Sequence, residues 1–147
     1  MLDVDWLPFD RLTPRQVHDV LQLRSRVFVV EQRCAFLDVD GVDPSCWHGL
    51  GVRKGVLVAT ARLVPPGLTF VEPSIGRVAT SLEVRRTGAG RALMVSAIAQ
   101  VGRLWPGQPI RIGAQRYLER FYGSLGFVVA GAPYDEDGIP HVEMLRA

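Results

Sequence analysis

Lysine, cysteine and long apolar runs are all scarce in this chain, and each shortage closes off a class of function. Lys54 is the one lysine among 17 basic residues in a chain of 147. Set against 15 acidic residues, the arginines leave a net charge of only +2. That is too mild and too dispersed for a nucleic-acid groove, so no nucleic-acid partner is expected. The two cysteines, Cys34 and Cys46, lack metal-type spacing, and with no signal-peptide pattern they are expected as buried or free thiols in a reducing cytoplasm. The stretch Asp38-x-Asp40-Gly41-x-Asp43 has the outline of a calcium loop. It lacks the EF-hand spacing and terminal glutamate, so no metal is expected. No apolar run approaches the ~20 residues that span a bilayer, which argues against a membrane role. Repeats, low-complexity tracts and interdomain linkers are also missing, so residues 1–147 are expected to form one domain. A chain of this length buries roughly 70% of its unfolded surface. With 48% apolar and 22% charged residues, its composition is that of a globular protein.

What the chain does have is a glycine loop at the junction of a strand and a helix. Ile75 to Thr80 is an apolar, strand-like run, while Leu93, Ala97, Val101 and Leu104 fall on one helical face. Between them lies Arg85-Arg86-Thr87-Gly88-Ala89-Gly90-Arg91. A helix N-terminus carries unpaired N–H groups and partial positive charge, so it can hold an anion; glycines let the backbone approach closely, and arginines add charge. The pattern reads as a phosphate or pyrophosphate site. A P-loop would need a lysine, which this loop lacks. A dinucleotide fingerprint would need glycine or alanine where Leu93 stands, and an acidic residue between Leu104 and Arg116, where there is none. On the loop alone, a glycine-rich turn with a solvated arginine stays open.

The remaining elements can be read in order. Val4 to Phe9 suits a short edge strand, weakened by Pro8. Thr13, Pro14 and Gln16 read as N-cap, first helical residue and capping-box partner of a helix whose apolar stripe is Val17, Val20, Leu21, Val27 and Phe28. Arg24 interrupts that stripe and is expected to snorkel, its stem packed and its head in water. Asp38, Asp40 and Asp43 are read as solvated carboxylates, or else as a negative rim for a cationic acceptor. Trp47–Val52 and Val56–Val64 flank Arg53-Lys54-Gly55 as a hairpin. Thr69–Val71 and Ile75–Thr80 are expected to extend the sheet, Ile110–Ala114 to add a strand, and Tyr117 to Leu125 to form a helix face. Phe127–Ala130 and His141–Leu145 read as final strands joined by a polar loop, Tyr134 to Gly138. Strands around one loop-plus-helix unit imply a mixed α/β sheet.

Three stretches together resemble a known family. Arg85-x-x-Gly88-x-Gly90 is similar to the Arg/Gln-x-x-Gly-x-Gly/Ala coenzyme A pyrophosphate loop of the GNAT acetyltransferase superfamily. Phe121-Tyr122-Gly123-Ser124-Leu125-Gly126-Phe127, one helix and one strand later, resembles that family's Phe/Leu-Tyr-x-x-x-Gly-Phe segment. The run Leu23 to Gln32, the acidic stretch with His48, Gly76-Arg77-Val78 and the ending Asp135 to Met144 look like the ElaA branch of the superfamily. The resemblance covers nearly the whole chain. It implies an α/β (α+β) acyl-CoA N-acyltransferase fold: a central mixed, mostly antiparallel sheet flanked by helices. It implies that the backbone of Val78, Ala79 and Thr80 pairs with the pantetheine arm of acetyl-CoA. The loop opened by Arg85 would hold the pyrophosphate on the amides of Arg86, Thr87, Gly88, Ala89, Gly90 and Arg91. Tyr122 matches the tyrosine that protonates the leaving thiolate. Two departures stand out: Gln115 replaces a frequent asparagine near the coenzyme, and Leu118 replaces a commonly small residue.

The implied reaction is acetyl transfer from acetyl-CoA to an amine, on a small molecule or an exposed protein site. It needs a base for the amine, polarisation of the thioester carbonyl and a proton for the thiolate. A phenol such as Tyr122, with an ordinary pKa near ~10, suits the last task; otherwise it is a half-buried aromatic. Candidate bases are Glu31, where desolvation next to an apolar helix face would favour the neutral acid, and the strand-end histidines His48 and His141. Each has a structural alternative: Glu31 as an ion-pair partner of Arg24 or Arg26, each histidine as a satisfied strand-end residue. A non-catalytic acyl-CoA sensor is the rival function, and an edge strand at the carboxyl end would allow a homodimer.

Overall fold

The computed structural model describes residues 2–147. The first helix, α1 (Pro14–Arg24), begins as its cap residues dictate. The Gln16 amide donates to Thr13 Oγ1 at 3.1 Å, and the Thr13 amide donates back to Gln16 Oε1 at 2.9 Å. Two otherwise orphaned donors are thereby satisfied. After Arg24 the helix widens into a π-helical segment, Ser25–Glu31. Such turns are rare and concentrate at functional sites; this one ends at a cleft.

Strands β1 (Val4–Pro8), β2 (Trp47–Arg53), β3 (Val56–Val64) and β4 (Ser74–Thr80) pair antiparallel in sequence order. The glycine loop and helix α2 (Ala89–Leu104) then cross to β5 (Ile110–Gln115). A short helix α3 (Glu119–Gly123) leads to β6 (Val128–Val129), β7 (Tyr134–Glu136) and β8 (Ile139–Arg146). In this second antiparallel sheet β8 lies between β5 and β6 and also carries β7. The two sheets touch where β4 and β5 begin: the Arg111 amide donates to the Pro73 carbonyl at 3.1 Å. Beyond that bond β4 and β5 form no ladder, and a cleft opens between them.

The core follows from the alternation of side chains along β3, β4 and β5. One face packs against Leu93, Met94, Ala97 and Val101 of α2, all 1% exposed or less. On the other face Ala79 meets Leu23 and Val27 of the α1 segment. Trp6 Nε1 donates to Ser96 Oγ at 2.9 Å, fastening edge strand β1 to α2. Among the described residues no helix is long and apolar enough to cross a membrane. No group of three or more histidine, cysteine or acidic side chains there could hold a metal.

Three expectations need correction. Thr69–Val71 is not a strand, because the turn after Pro65-Pro66 closes on itself, the Gly67 amide donating to the Phe70 carbonyl at 2.8 Å. The helix expected over Tyr117–Leu125 is split into a 3-10 turn, Arg116–Leu118, and the short α3. The polar stretch after Tyr134 is an ordered hairpin, β7 pairing with β8 across a turn at Asp137 and Gly138.

Candidate active site

The cleft between β4 and β5 encloses about 640 Å³ and is bordered by the π-helical segment, the glycine loop, α3 and the β7–β8 hairpin. Its β4 wall is an open strand edge. Thr60 pairs with Ala79 while Arg62 pairs with Gly76, so Arg77 and Val78 bulge opposite Ala61. The Ser81 amide donates to the Val58 carbonyl on β3. By strand alternation the backbone groups of Val78 and Thr80 point the other way, to the cleft, while those of Ala79 belong to the ladder.

The glycine loop stands at one end. Gly88 is the N-cap of α2, with φ +86°, in the left-handed region that only glycine enters freely. A side chain beginning there would meet nothing within 4 Å. The first intrahelical bond of α2 runs from the Ala92 amide to the Gly88 carbonyl, which leaves the amides of Ala89, Gly90 and Arg91 without an intrahelical acceptor. The Thr87 hydroxyl donates to the Val84 carbonyl and holds the loop's curve. Arg86, also at positive φ, is exposed. Arg91 Nη1 donates to Ser124 Oγ at 2.9 Å and ties the loop to α3. These residues fit a coenzyme A: free amides at a helix start for a pyrophosphate, and an unpaired strand edge for an extended amide chain.

Arg85 is differently employed. Its guanidinium turns back, Nη2 lying 2.9 Å from the Thr80 carbonyl and 2.5 Å from Glu31 Oε1. Glu31 is therefore an ion-pair partner of Arg85, not of Arg24 or Arg26. Gln115 faces Gln32, each side-chain amide donating to the other at 3.3 Å across the cleft. Leu118 is half-buried against the core.

Tyr122 lines the cleft from α3, only 7% exposed, with Phe121 and Phe127 edge-on to its ring at 5.2 and 6.0 Å. Burial pushes its phenol up to about 12, so it carries its proton throughout the neutral range. His141, at the start of β8, also lines the cleft. Its Nδ1 lies 2.8 Å from the Ile139 carbonyl; a carbonyl can only accept, so Nδ1 holds the hydrogen and Nε2 is left to take a proton. Glu136 Oε2 stands 3.4 Å from that nitrogen. His48 does not join them. It is buried in β2, its Nε2 at 2.9 Å from the Asp43 carbonyl, and burial lowers its pKa. It is not part of the cleft wall, because strand alternation aims it at the acidic loop.

That loop overturns two readings. Arg24 does not snorkel: it is 1% exposed, with Nε at 3.0 Å from Asp38 and Nη1 at 2.8 Å from Asp43. Asp38 and Asp43 are buried rather than solvated. Asp38 also binds Arg77 at 2.8 Å, and Arg62 binds Asp40 at 2.8 Å and Asp43 at 2.9 Å. A buried charge persists only when paired and hydrogen-bonded, and three arginines here meet three aspartates. Sequence reasoning missed Arg62 and Arg77 as their partners. The available signal was an arginine inside each of two apolar strands.

Known proteins bear on this geometry directly. A family model described as an acetyltransferase (GNAT) domain matches residues 54–146. A UPF0039 protein of Synechocystis is 43% identical over 141 residues, spanning 95% of this chain and 92% of that one. Protein ElaA of Escherichia coli is 39% identical, over 97% and 96% of the two chains. Its crystal structure superposes with a TM-score of 0.93 at 38% identity, covering 100% of both chains. An acyl-CoA N-acyltransferase from Pseudomonas aeruginosa gives 0.95 at 40% identity, again over 100% of each. Likeness of this extent, over a fold that opens a strand edge beside a glycine loop, means that the chain belongs to the GNAT acetyltransferase family of acyl-CoA-dependent acyltransferases, in its ElaA branch.

Proposed function

We propose that the protein is an N-acetyltransferase that moves an acetyl group from acetyl-CoA to a primary amine, with His141 as the base and Tyr122 as the acid. The observation that carries this reading is that both side chains line one cleft, between β4 and β5, with the glycine loop and the start of α2 at one end. Bound there, acetyl-CoA supplies an activated thioester. The amides of Ala89, Gly90 and Arg91 are suited to its pyrophosphate, and the Val78 and Thr80 backbone to its pantetheine amides. His141 Nε2 takes the proton from the attacking amine while Ile139 fixes the opposite nitrogen and Glu136 balances the charge gained. As nitrogen bonds to the acyl carbon, the carbon–sulfur bond breaks and Tyr122 gives its proton to the departing thiolate. Glu31 is left out of this scheme because its carboxylate is already held by Arg85.

Calorimetric titration with acetyl-CoA, with NADH as control, followed by thiol-release assays over an amine panel, tests the reading. Saturable acetyl-CoA binding with turnover supports it. Binding without turnover on any amine favours an acyl-CoA sensor, and no binding removes the glycine loop's role.

A further inference from the structure

The proposed transferase reading leaves the acceptor open, and the charge balance of the cleft narrows it. Away from the glycine loop the walls carry Phe36, Phe70 and Tyr134, with two cations, Arg62 and Arg77, and two carboxylates, Glu136 and Asp137. The cations are not available. Arg62 is held by Asp40 and Asp43, and Arg77 by Asp38 and Asp40. With Arg24 included, that network has three positive and three negative groups. On the opposite wall Glu136 has only His141 beside it, at 3.4 Å, and Asp137 has no ion-pair partner among the described residues. The charge left over in this half of the cleft is negative.

Access is limited as well. After the π-helical segment the chain crosses to the second sheet at two points: Gln32 pairs with Gln115, and Cys34 Sγ donates to the Asp137 carbonyl at 3.2 Å. Gln32 and Cys34 line the cleft at these crossings, which favours a small acceptor over a bulky protein surface. Tyr134 narrows the floor; its ring lies 5.7 Å from His141, and its hydroxyl would stand 2.8 Å from a side chain added at Gly113.

We infer that the acceptor is a small free amine on an apolar or aromatic stem, with no carboxylate next to the ammonium. It is a decarboxylated, not an intact, amino acid in chemical type. Glu136 and Asp137 attract the ammonium, and the aromatic walls take the stem. A carboxylate beside the amine meets like charge, while the two arginines of the cleft wall, Arg62 and Arg77, are already paired.

The test measures kcat/KM for 2-phenylethylamine, phenylalanine, phenylalaninamide and a lysine-bearing peptide in the full-length protein. The amide adds bulk without charge. We expect 2-phenylethylamine to exceed phenylalanine by at least about tenfold, with phenylalaninamide between them. Glu136→Gln combined with Asp137→Asn should shrink the gap between amine and amino acid. Equal use of phenylalanine, or faster use of the peptide, overturns this inference and leaves the transferase reading standing. If acetyl-CoA binds and none of the four amines is acetylated, the inference falls, and turnover on the wider amine panel decides whether the transferase reading stands.

Discussion

Tyr122 combines a buried ring with an edge on the cleft, and its burial decides its protonation. Because the folded state raises its pKa from 10.0 to about 12, the folded chain binds this proton more tightly than the unfolded one. Stability from this group is complete below pH ~10 and drains away as pH rises towards 12. Replacing Tyr122 with Phe should leave acetyl-CoA affinity within about twofold and lower kcat by about 100-fold; unchanged kcat would remove it from the chemistry. At Gly88 the open left-handed cap invites a different variant. Gly88→Glu adds bulk and negative charge beside the amides of α2 and should abolish acetyl-CoA binding in calorimetry. Undiminished affinity would move the pyrophosphate elsewhere. The sequence singled out both positions through short local stretches, Gly88 at a helix start and Tyr122 in the segment that resembles the family's. The structure has Gly88 capping α2 and Tyr122 on the cleft wall.

At the scale of elements the charge network is the main structural device. It joins α1, the acidic loop, β3 and β4, so it also fixes the bulge of β4 that bounds the cleft. Asp43→Ala leaves two arginines short of a counter-charge and should cost about 3–5 kcal/mol, seen as a lower Tm. A loss under about 1 kcal/mol would mean that the pairs contribute little beyond what surface bridges do. Acid should act on the same place. Arg62 holds the Asp40 carboxyl well below its usual range, and at Asp43 the arginines outweigh the upward push of burial. Carboxyls depressed in the folded state stabilise it above their ordinary range, and that stability is lost as pH falls below about 4. Melting curves from pH 7 to 3 check this. None of this pairing was legible in the chain, since the partners are 14 to 39 residues apart and an unpaired arginine or aspartate reads as solvated by default. The start of α1 was legible because Thr13, Pro14 and Gln16 satisfy their own backbone groups locally. Thr69–Val71, wrongly expected as a strand, had the right residue types but lies in a turn closed by the Gly67–Phe70 hydrogen bond.

Across the whole molecule, two antiparallel sheets meet at one backbone bond and diverge, and the space between them is where a coenzyme would replace the missing ladder. At 100 times its Kd, acetyl-CoA should stabilise the fold by about 2.7 kcal/mol and raise Tm by several degrees. In hydrogen exchange, the amides of Val78 and Thr80 should gain protection when it binds, whereas that of Ala79 should change little. Equal behaviour of all three would contradict the assigned alternation of β4.

Until a ligand pairs with it, β4 is also a hazard. An open strand edge is a template for joining other chains, and proteins blunt such edges with bulges and charges. Arg77 in the bulge and Arg85, with its guanidinium on the Thr80 carbonyl, are placed to do that. The contact that a pantetheine would displace thus doubles as a guard against self-association. Arg85→Ala protein should aggregate on storage and be kept in solution by added coenzyme.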